Sequence, residues 1–215
     1  MLQRITHLSV LCGLLLLAGC NKPAPAPTTP SNTATPASQP PATPPAKPDD
    51  PASIAELQKA KVILEANAAG NVTKADCKEA ALTDAQLPLF KGLPSLINLS
   101  LENSEVTNAG LGTLAGIVPQ LEILSLRKCT AITDEGLGQL KTLPNLRSLQ
   151  LLYSRITDAG MPYVVELKGL KALDLRGCTQ ITDDGLADVG KCEGLTDLKL
   201  RNFELTNEGL KHLSN

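Results

Sequence analysis

The feature that most constrains this chain of 215 residues is an internal repeat. The pattern Leu-x-x-Leu-x-Leu, followed by Ile/Leu/Val-Thr-Asp/Asn-x-Gly-Leu-x-x-Leu, recurs six times at spacings of 24 or 25 residues. Its units begin at Val72, Leu96, Leu121, Leu146, Leu170 and Leu195. Self-similarity at such a period indicates an array whose units pack only against their neighbours. We therefore predict a solenoid over residues 72–215.

Each unit combines a strand with a short helix. In the second unit, Leu99 and Leu101 alternate with polar residues, which is the period of a strand that buries one face. Leu111 and Leu114 follow at helical spacing, after a Thr and an Asn that suit a helix N-cap. A lone unit cannot cover its own apolar side chains, so neighbouring units must share one core.

The repeat resembles the cysteine-containing type of leucine-rich repeat, because a Cys follows the strand leucines at Cys129 and Cys178. Similar repeats occur in F-box proteins and in bacterial proteins with tandem Thr-Asp-Ala-Gly-Leu units. The resemblance implies an α/β leucine-rich-repeat solenoid, with parallel strands on the concave face and short helices on the convex face. We recognise no F-box-like segment before the repeats, so the ubiquitin-ligase role of that branch is not implied.

The N-terminal residues have the pattern of a secretory leader. Arg4 precedes an apolar stretch at residues 8–17, which is too short to cross a bilayer as a helix. The following Leu-Ala-Gly-Cys ends at Cys20 and resembles the lipobox of bacterial lipoproteins. That resemblance implies a signal peptide at 1–19 and lipid attachment at Cys20, where several acyl chains would give stable membrane anchoring. The alternative is an ordinary leader with a chance cysteine.

The residue after the cysteine bears on the membrane involved. In many bacterial lipoproteins an Asp at this position retains the protein at the inner membrane, whereas this chain has Asn21. The expectation is a bacterial cell-envelope protein, with the outer membrane, on its periplasmic or surface face, favoured over the inner membrane.

A proline-rich stretch separates this predicted anchor from the repeats. Eleven of the 16 prolines lie between Pro23 and Pro51, among Ala, Thr and Ser. Such a segment lacks the large apolar side chains needed for a core, so residues 20–50 are predicted to be a disordered stalk that begins with the lipidated cysteine.

Both ends of a solenoid need covering, because exposed terminal repeats are prone to associate. Residues 51–71 are predicted to cap the first repeat, either as a short helix and an edge strand antiparallel to Val72–Cys77, or as one continuous helix from Ser53 to Ala69. At the other end, no polar capping unit is expected after the sixth helix, near Asn215.

Composition excludes several classes of function. The formal net charge is −2 and only 2% of residues are aromatic, which argues against nucleic-acid binding. The two histidines are His7 and His212, too few for a His-based triad or a multi-histidine metal site. No nucleophile–base pair or phosphate-binding loop is evident, so we predict no enzyme activity, cofactor or metal.

Two recurring residue types have a structural interpretation. The acidic column could be a calcium ladder or a row of helix caps, and the helix-like Gly-Leu-x-x-Leu after each acid favours capping. It comprises Asp84, Asp134, Asp158 and Asp183, with Asn108 and Asn207. Four cysteines at core positions are predicted to be buried thiols, namely Cys77, Cys129, Cys178 and Cys192.

The candidate protein-binding surface lies where strand side chains point to the concave face. Its residues are Arg127, Lys128, Leu152, Tyr153, Arg176 and Arg201. Arg and Tyr commonly anchor protein interfaces, so an acidic patch on a partner protein or peptide is one hypothesis. A charged face that only keeps the protein soluble is the other. The predicted function is a non-catalytic, lipid-anchored scaffold for protein–protein interaction. The alternative is a structural envelope component that self-associates through its uncapped C-terminal repeat.

Overall fold

The computed structural model describes residues 47–202 and 204–213, which fall within one compact unit of the chain, residues 43–215. The predicted signal peptide, Cys20 and nearly all of the predicted stalk lie outside the described residues. Within the part of the chain that is described, no helix is long and apolar enough to cross a membrane.

The segment before the repeats is a helix followed by a hairpin, the first of the two alternatives. Helix α1 spans Pro51–Lys59. Its N-cap is Asp50, whose carboxylate accepts hydrogen bonds from the N–H groups of Ala52 and Ser53. Strand β1, Ile63–Ala66, then pairs antiparallel with β2, Val72–Asp76. The turn between them starts at Asn67, whose side-chain oxygen accepts two backbone hydrogen bonds.

Six parallel strands make up the rest of a seven-stranded sheet in sequence order. After β2 these are β3 Asn98–Ser100, β4 Ile123–Ser125, β5 Ser148–Gln150, β6 Ala172–Asp174 and β7 Asp197–Lys199. Residues at equal repeat positions pair directly, as Leu99 does with Leu124 and Leu149 with Leu173. The solenoid of six repeats that the sequence predicts is therefore confirmed.

A short helical segment follows each of these six strands. The α-helices are α2 Asn108–Ile117, α3 Asp134–Gln139, α4 Met161–Val165, α5 Asp183–Val189 and α6 Asn207–Lys211. Segments of 3₁₀-helix occur at Asp84–Gly92, Leu140–Thr142 and Asp158–Gly160. The first of these contains Pro88, which lacks the N–H that an α-helix would use there.

The core is one continuous column of apolar side chains between the sheet and the helical segments. Cys77, Cys129 and Cys178 are fully buried in it, as predicted. Burial raises the pKa of Cys77 to about 12, so this thiol stays protonated. Cys192 departs from the prediction because it is only partly buried, at the end of the core where the last repeat is less well covered.

The cysteines of the repeat also connect neighbouring units. The Cys129 thiol donates to the carbonyl of Leu101 at 3.0 Å, and Cys178 donates to Leu151 at 3.0 Å. Each acceptor carbonyl belongs to the preceding repeat. A small apolar side chain with a weak donor can therefore satisfy a buried carbonyl there without a cost in packing.

The acidic column forms a hydrogen-bonded bridge from each repeat to the next, which we call the inter-repeat clamp. Asp134 accepts the N–H of Thr157 at 2.8 Å with one carboxylate oxygen and the Thr157 hydroxyl at 2.7 Å with the other. The same two bonds recur in Asp84–Thr107, Asp158–Thr182 and Asp183–Thr206. Asn108 likewise accepts the N–H of Thr133, at 3.0 Å, but its amide nitrogen donates to the Thr133 hydroxyl at 2.8 Å.

The expectation that these acids cap helices therefore needs correction. The N-cap of each helical segment is the threonine, as Thr182 is for α5, whereas Asp183 is already the first helical residue. The acid instead holds the N-cap of the following repeat. Its carboxylate thus places a negative charge at that helix N-terminus, where the backbone N–H groups favour it.

The clamp explains why the repeat motif contains glycine. A Cβ atom at Gly185 would lie 2.2 Å from an Asp158 carboxylate oxygen, so only glycine leaves room for the acid. The clamp acids crowd the equivalent glycines Gly110, Gly160 and Gly209 in the same way, and the Asn108 amide oxygen crowds Gly136.

The first repeat has no preceding acid, and it has Gln86 in place of the glycine. The side-chain oxygen of Gln86 accepts both the N–H of Thr83 at 3.0 Å and its hydroxyl at 2.9 Å. One side chain of the same repeat thus makes the two bonds that an acid of the preceding repeat makes to Thr107, Thr157, Thr182 and Thr206.

A double-mutant cycle tests this explanation of the glycine. Gly185→Ala should lower the free energy of unfolding by about 1–3 kcal/mol, because the added methyl displaces the Asp158 carboxylate. In an Asp158→Ala background the same substitution should cost close to nothing. Urea denaturation of the four proteins measures both values, and an undiminished cost in the Asp158→Ala background would contradict the clamp.

Gly116 offers a matched control in α2, since nothing lies within 4 Å of a Cβ built there. Gly116→Ala should raise the free energy of unfolding by about 0.5–1 kcal/mol, the usual gain from replacing glycine in a helix.

Candidate protein-binding surface

The predicted site residues follow the strands at two adjacent repeat positions. Arg127, Leu152 and Arg176 line one groove on the concave face of the sheet. Tyr153 lies beside it, with its ring centroid 6.0 Å from the guanidinium carbon of Arg127. Arg201 is exposed one repeat further along and is not part of the groove lining. The structure thus gathers most of the predicted set into one area.

Tyr153 has a backbone conformation that is unusual for a large side chain. Its φ is 55°, in the left-handed region, and its side chain is 48% exposed. A non-glycine residue pays roughly 1–2 kcal/mol for this conformation. The equivalent residues of the neighbouring repeats share it, with φ values of 62° at Asn103, 58° at Lys128 and 76° at Gly177.

Stacking of the repeats imposes this conformation. The N–H of Lys128 donates to the carbonyl of Leu152 at 2.9 Å, and the N–H of Tyr153 donates to Arg176 at 3.1 Å. The four equivalent residues must all adopt this left-handed conformation for their N–H groups to reach the next repeat. Asn and Gly tolerate such a position best, so the architecture accounts for the turn but not for the choice of tyrosine.

The tyrosine ring packs against the backbone of Gly177 in the next repeat. A Cβ atom at Gly177 would lie 2.4 Å from Cδ1 of the Tyr153 ring, so the ring occupies the space that a side chain there would fill. The exposed aromatic group is therefore packed on one side against backbone. A ring held in this way loses little conformational entropy when a partner covers it.

The two arginines beside the tyrosine differ in how firmly they are held. Arg176 grips Asp174 through two bonds, Nε–Oδ1 at 2.9 Å and Nη2–Oδ2 at 2.7 Å. Arg127 Nε lies 3.3 Å from Glu102, but it makes no aligned hydrogen bond there. Both arginines thus face an acid, but Arg176 is held by aligned hydrogen bonds, whereas the buried Nε of Arg127 makes none.

Asp174 is 7% exposed, and its pKa is lowered in the folded protein. Burial by itself would raise that pKa. The hydrogen bonds from the Arg176 side chain and backbone, with the positive charges of Arg176 and Lys199, together outweigh burial. Asp174 therefore stays ionised and fixes Arg176 in the groove.

The structure changes two expectations about this surface. Leu152 is buried, with 8% of its side chain exposed, because it lies under its neighbours in the groove, so it offers a partner little contact area. The sequence-based hypothesis pairs the arginines with an acidic patch on a partner, yet Arg127 and Arg176 each already face an acid of this chain. Residues two apart on a strand share a face, so the Asp174–Arg176 pair was visible in the sequence.

The described residues contain no group of three or more His, Cys, Asp or Glu side chains placed to hold a metal ion. The clamp acids lie one repeat apart, and each is engaged with a threonine. The geometry of this surface is suited to contact with another molecule through packing, hydrogen bonds and charge.

Comparison with known proteins agrees with the repeat assignment. The family model described as Leucine Rich repeat matches residues 119–140 and 170–190, so the chain contains leucine-rich repeats. No curated protein matches the chain significantly.

Two solved structures are similar to part of this chain. One is the Rad7 and Elc1 complex of yeast, at 25% identity over 60% of this chain with a TM-score of 0.49. The chain spans about a third of that structure's length, 35%. The other is the tropomodulin C-terminal domain of Caenorhabditis elegans, at 19% identity over 56% of this chain and 81% of that domain, with a TM-score of 0.45.

The Asp174–Arg176 pair predicts a specific pH dependence of stability. The pKa of Asp174 is lowered on folding, so its ionised carboxylate contributes to the free energy of unfolding. This contribution is complete above the unfolded pKa of about 3.9 and is lost as the pH falls through the lower folded pKa. Asp174→Asn should cost about 1–3 kcal/mol at pH 7, and the difference from wild type should shrink below about pH 4.

Chemical denaturation at pH 7, 5 and 3 measures this difference. In an Arg176→Gln background, the pH dependence of the Asp174→Asn effect should largely disappear, because Arg176 supplies most of the bonds that favour the carboxylate. A difference that stays constant from pH 7 to pH 3 would rule out the assigned role of Asp174.

Proposed function

We propose that the repeats bind a protein through an area on the concave side formed by Arg127, Lys128, Tyr153 and Arg176, which we call the Tyr153 patch. The observation that carries this proposal is Tyr153 itself. An exposed ring stands in a left-handed position that favours Asn or Gly, and Gly177 leaves the space in which the ring rests. Strain retained at an exposed side chain is typical of binding sites.

The partner's chemistry follows from the patch. A flat apolar group would cover the Tyr153 ring, and tyrosine is among the residues that most often dominate interface energies. Arg127 can turn from Glu102 to a carboxylate on the partner, because it lacks an aligned bond to Glu102. Lys128 is exposed beside it. A protein segment that combines an acidic side chain with an apolar one fits these groups.

Leucine-rich repeats generally serve as scaffolds for protein–protein interaction, and their stacked strands supply an extended binding surface. This general role agrees with a non-catalytic function. Polar side chains on the sheet recur by repeat position and do not converge on a reaction centre, which is the arrangement expected of a binding surface. A face that merely keeps the protein soluble would need neither the ring at Tyr153 nor its seat at Gly177.

We also propose that the protein is lipid-anchored in a bacterial cell envelope. The support is the sequence Leu-Ala-Gly-Cys ending at Cys20, directly after an apolar stretch of the length of a signal peptide. The proline-rich residues before Pro51 would then place the repeats away from the lipid. Asn21 supports the outer membrane as the destination.

The two tyrosines of the chain allow a matched test of the patch. A photo-crosslinking phenylalanine analogue is placed at Tyr153, or at Tyr163, which is exposed on helix α4. Irradiation of cells should give a discrete crosslinked species from position 153, and adding Arg127→Glu should reduce its yield about tenfold or more. Equal crosslinking from both positions, or none from position 153, would contradict the proposal.

Lipid attachment predicts the behaviour of a single variant. Cys20→Ala should move the protein from the membrane fraction to the aqueous fraction in detergent phase partitioning and should abolish labelling by a palmitate analogue. Cys192→Ala is the matched control and should leave both unchanged. Labelling of the Cys20→Ala protein would show that the acyl chain is elsewhere or that the leader is an ordinary one.

A further inference from the structure

The last strand of the sheet has an open edge. Among residues 47–202 and 204–213, no strand pairs with β7 on the side away from β6. The N–H of Asp197 donates to Lys171 at 2.9 Å, and the carbonyl of Lys199 accepts from Leu175 at 2.9 Å. The backbone of these two residues thus faces β6. The N–H and carbonyl of Leu198, which lies between them, must face the open edge.

Apolar side chains surround this edge. Leu198 is only partly buried, whereas Leu99, at the same position of an inner repeat, is fully buried. Leu210 is 48% exposed, although its counterparts Leu111 and Leu186 are completely covered. A hollow of ≈ 1020 Å³ opens there, lined by Leu195, Leu198, Leu200, Leu210 and Leu213 among others. The side of this repeat away from β6 thus exposes leucines that the next repeat covers in the inner units.

The first repeat cannot cover this surface in another copy. Its sheet edge is occupied by β1, and α1 places Leu57 in the core with no exposure. Gln86 already takes the place that a clamp acid from a preceding repeat would need. Since one end is closed and the other open, copies cannot stack head to tail. Only contact between two identical ends remains, which requires a two-fold axis.

The charges on β7 are self-complementary about such an axis. Asp197 and Lys199 flank Leu198 and point to the same side of the sheet, and both are half-exposed, with a separation of 3.5 Å. In an antiparallel pairing centred on Leu198, Asp197 of each copy faces Lys199 of the other. Opposite charges directly across two strands favour pairing, and like charges oppose it.

We propose that two copies of this chain form a two-fold dimer by antiparallel pairing of their β7 strands. At the centre, the two Leu198 residues exchange N–H···O=C bonds, and the Asp197–Lys199 pairs on either side fix the register. Leu195, Leu198 and Leu210 of both copies become covered. This inference rests on other residues than the Tyr153 patch, whose nearest member, Arg176, lies one repeat from β7, and a dimer would present two such patches.

Charge exchange at β7 tests the dimer directly. All variants carry Cys20→Ala, so that acyl chains do not associate, and sedimentation velocity is measured over a range of concentrations. The reference protein should pass from monomer to dimer as its concentration rises. Asp197→Lys gives Lys facing Lys, and Lys199→Asp gives Asp facing Asp. Each should raise the dimer dissociation constant about tenfold or more.

A mixture of the two single variants tests the charge pairing most directly. An equimolar mixture of the Asp197→Lys and Lys199→Asp proteins should form dimers as tightly as the reference, and so should the Asp197→Lys/Lys199→Asp double variant. Both side chains are exposed, but Lys199 lies opposite Asp174 on β6, so circular dichroism is used to verify that each variant folds. Glu65→Lys, a charge change on the opposite edge strand β1, is the matched control and should leave dimerisation unchanged.

Three results would overturn the proposal. One is a reference protein that is monomeric at every concentration, even if another protein is found to bind β7. Another is single variants that dimerise as well as the reference. The third is a mixture of the two single variants that stays monomeric.

Discussion

The structure depends on one interaction, in which a carboxylate, or the Asn108 amide in the second repeat, hydrogen-bonds the N-cap threonine of the next repeat. Parallel strands and a leucine core hold neighbouring repeats together, but neither fixes how their helical sides are aligned. The Asp158–Thr182 clamp does so with two bonds to one residue. It also places negative charge at the start of α5, where the helix favours it. Gly185 is needed for this clamp, because a side chain there would displace the Asp158 carboxylate.

A second inter-repeat ladder links architecture to function. Three residues after the ends of β3, β4, β5 and β6, the chain adopts a left-handed conformation and donates an N–H to the next repeat. That requirement is uniform, whereas the side chain at the position is free to vary. At position 153 the side chain is an exposed aromatic ring. At position 177 the residue is glycine, which leaves the space that this ring occupies. Specificity can thus be added without disturbing the stack.

Much of the fold follows from the sequence because the leucine spacing fixes both the period and the buried faces. The repeat starts and the helix after each strand are evident from periodicity alone. The clamp was not foreseen, since a Thr-Asp pair before a helix is also what local capping would produce. The available signal was Gln86, which replaces the glycine in the first repeat, where no preceding repeat can supply a clamp residue. The Asp174–Arg176 pair follows from the rule that residues two apart share a face, whereas the packing of the Tyr153 ring against Gly177 depends on three-dimensional proximity between repeats, which no spacing rule supplies.

Native-state hydrogen exchange measured by NMR tests the clamp most directly. An N-cap amide has no partner within its own helix, and in an isolated helix it exchanges freely with water. The account predicts that the amides of Thr157 and Thr182 exchange about as slowly as that of Leu151, which is bonded between strands. Fast, unprotected exchange at both threonines while Leu151 stays protected would contradict it.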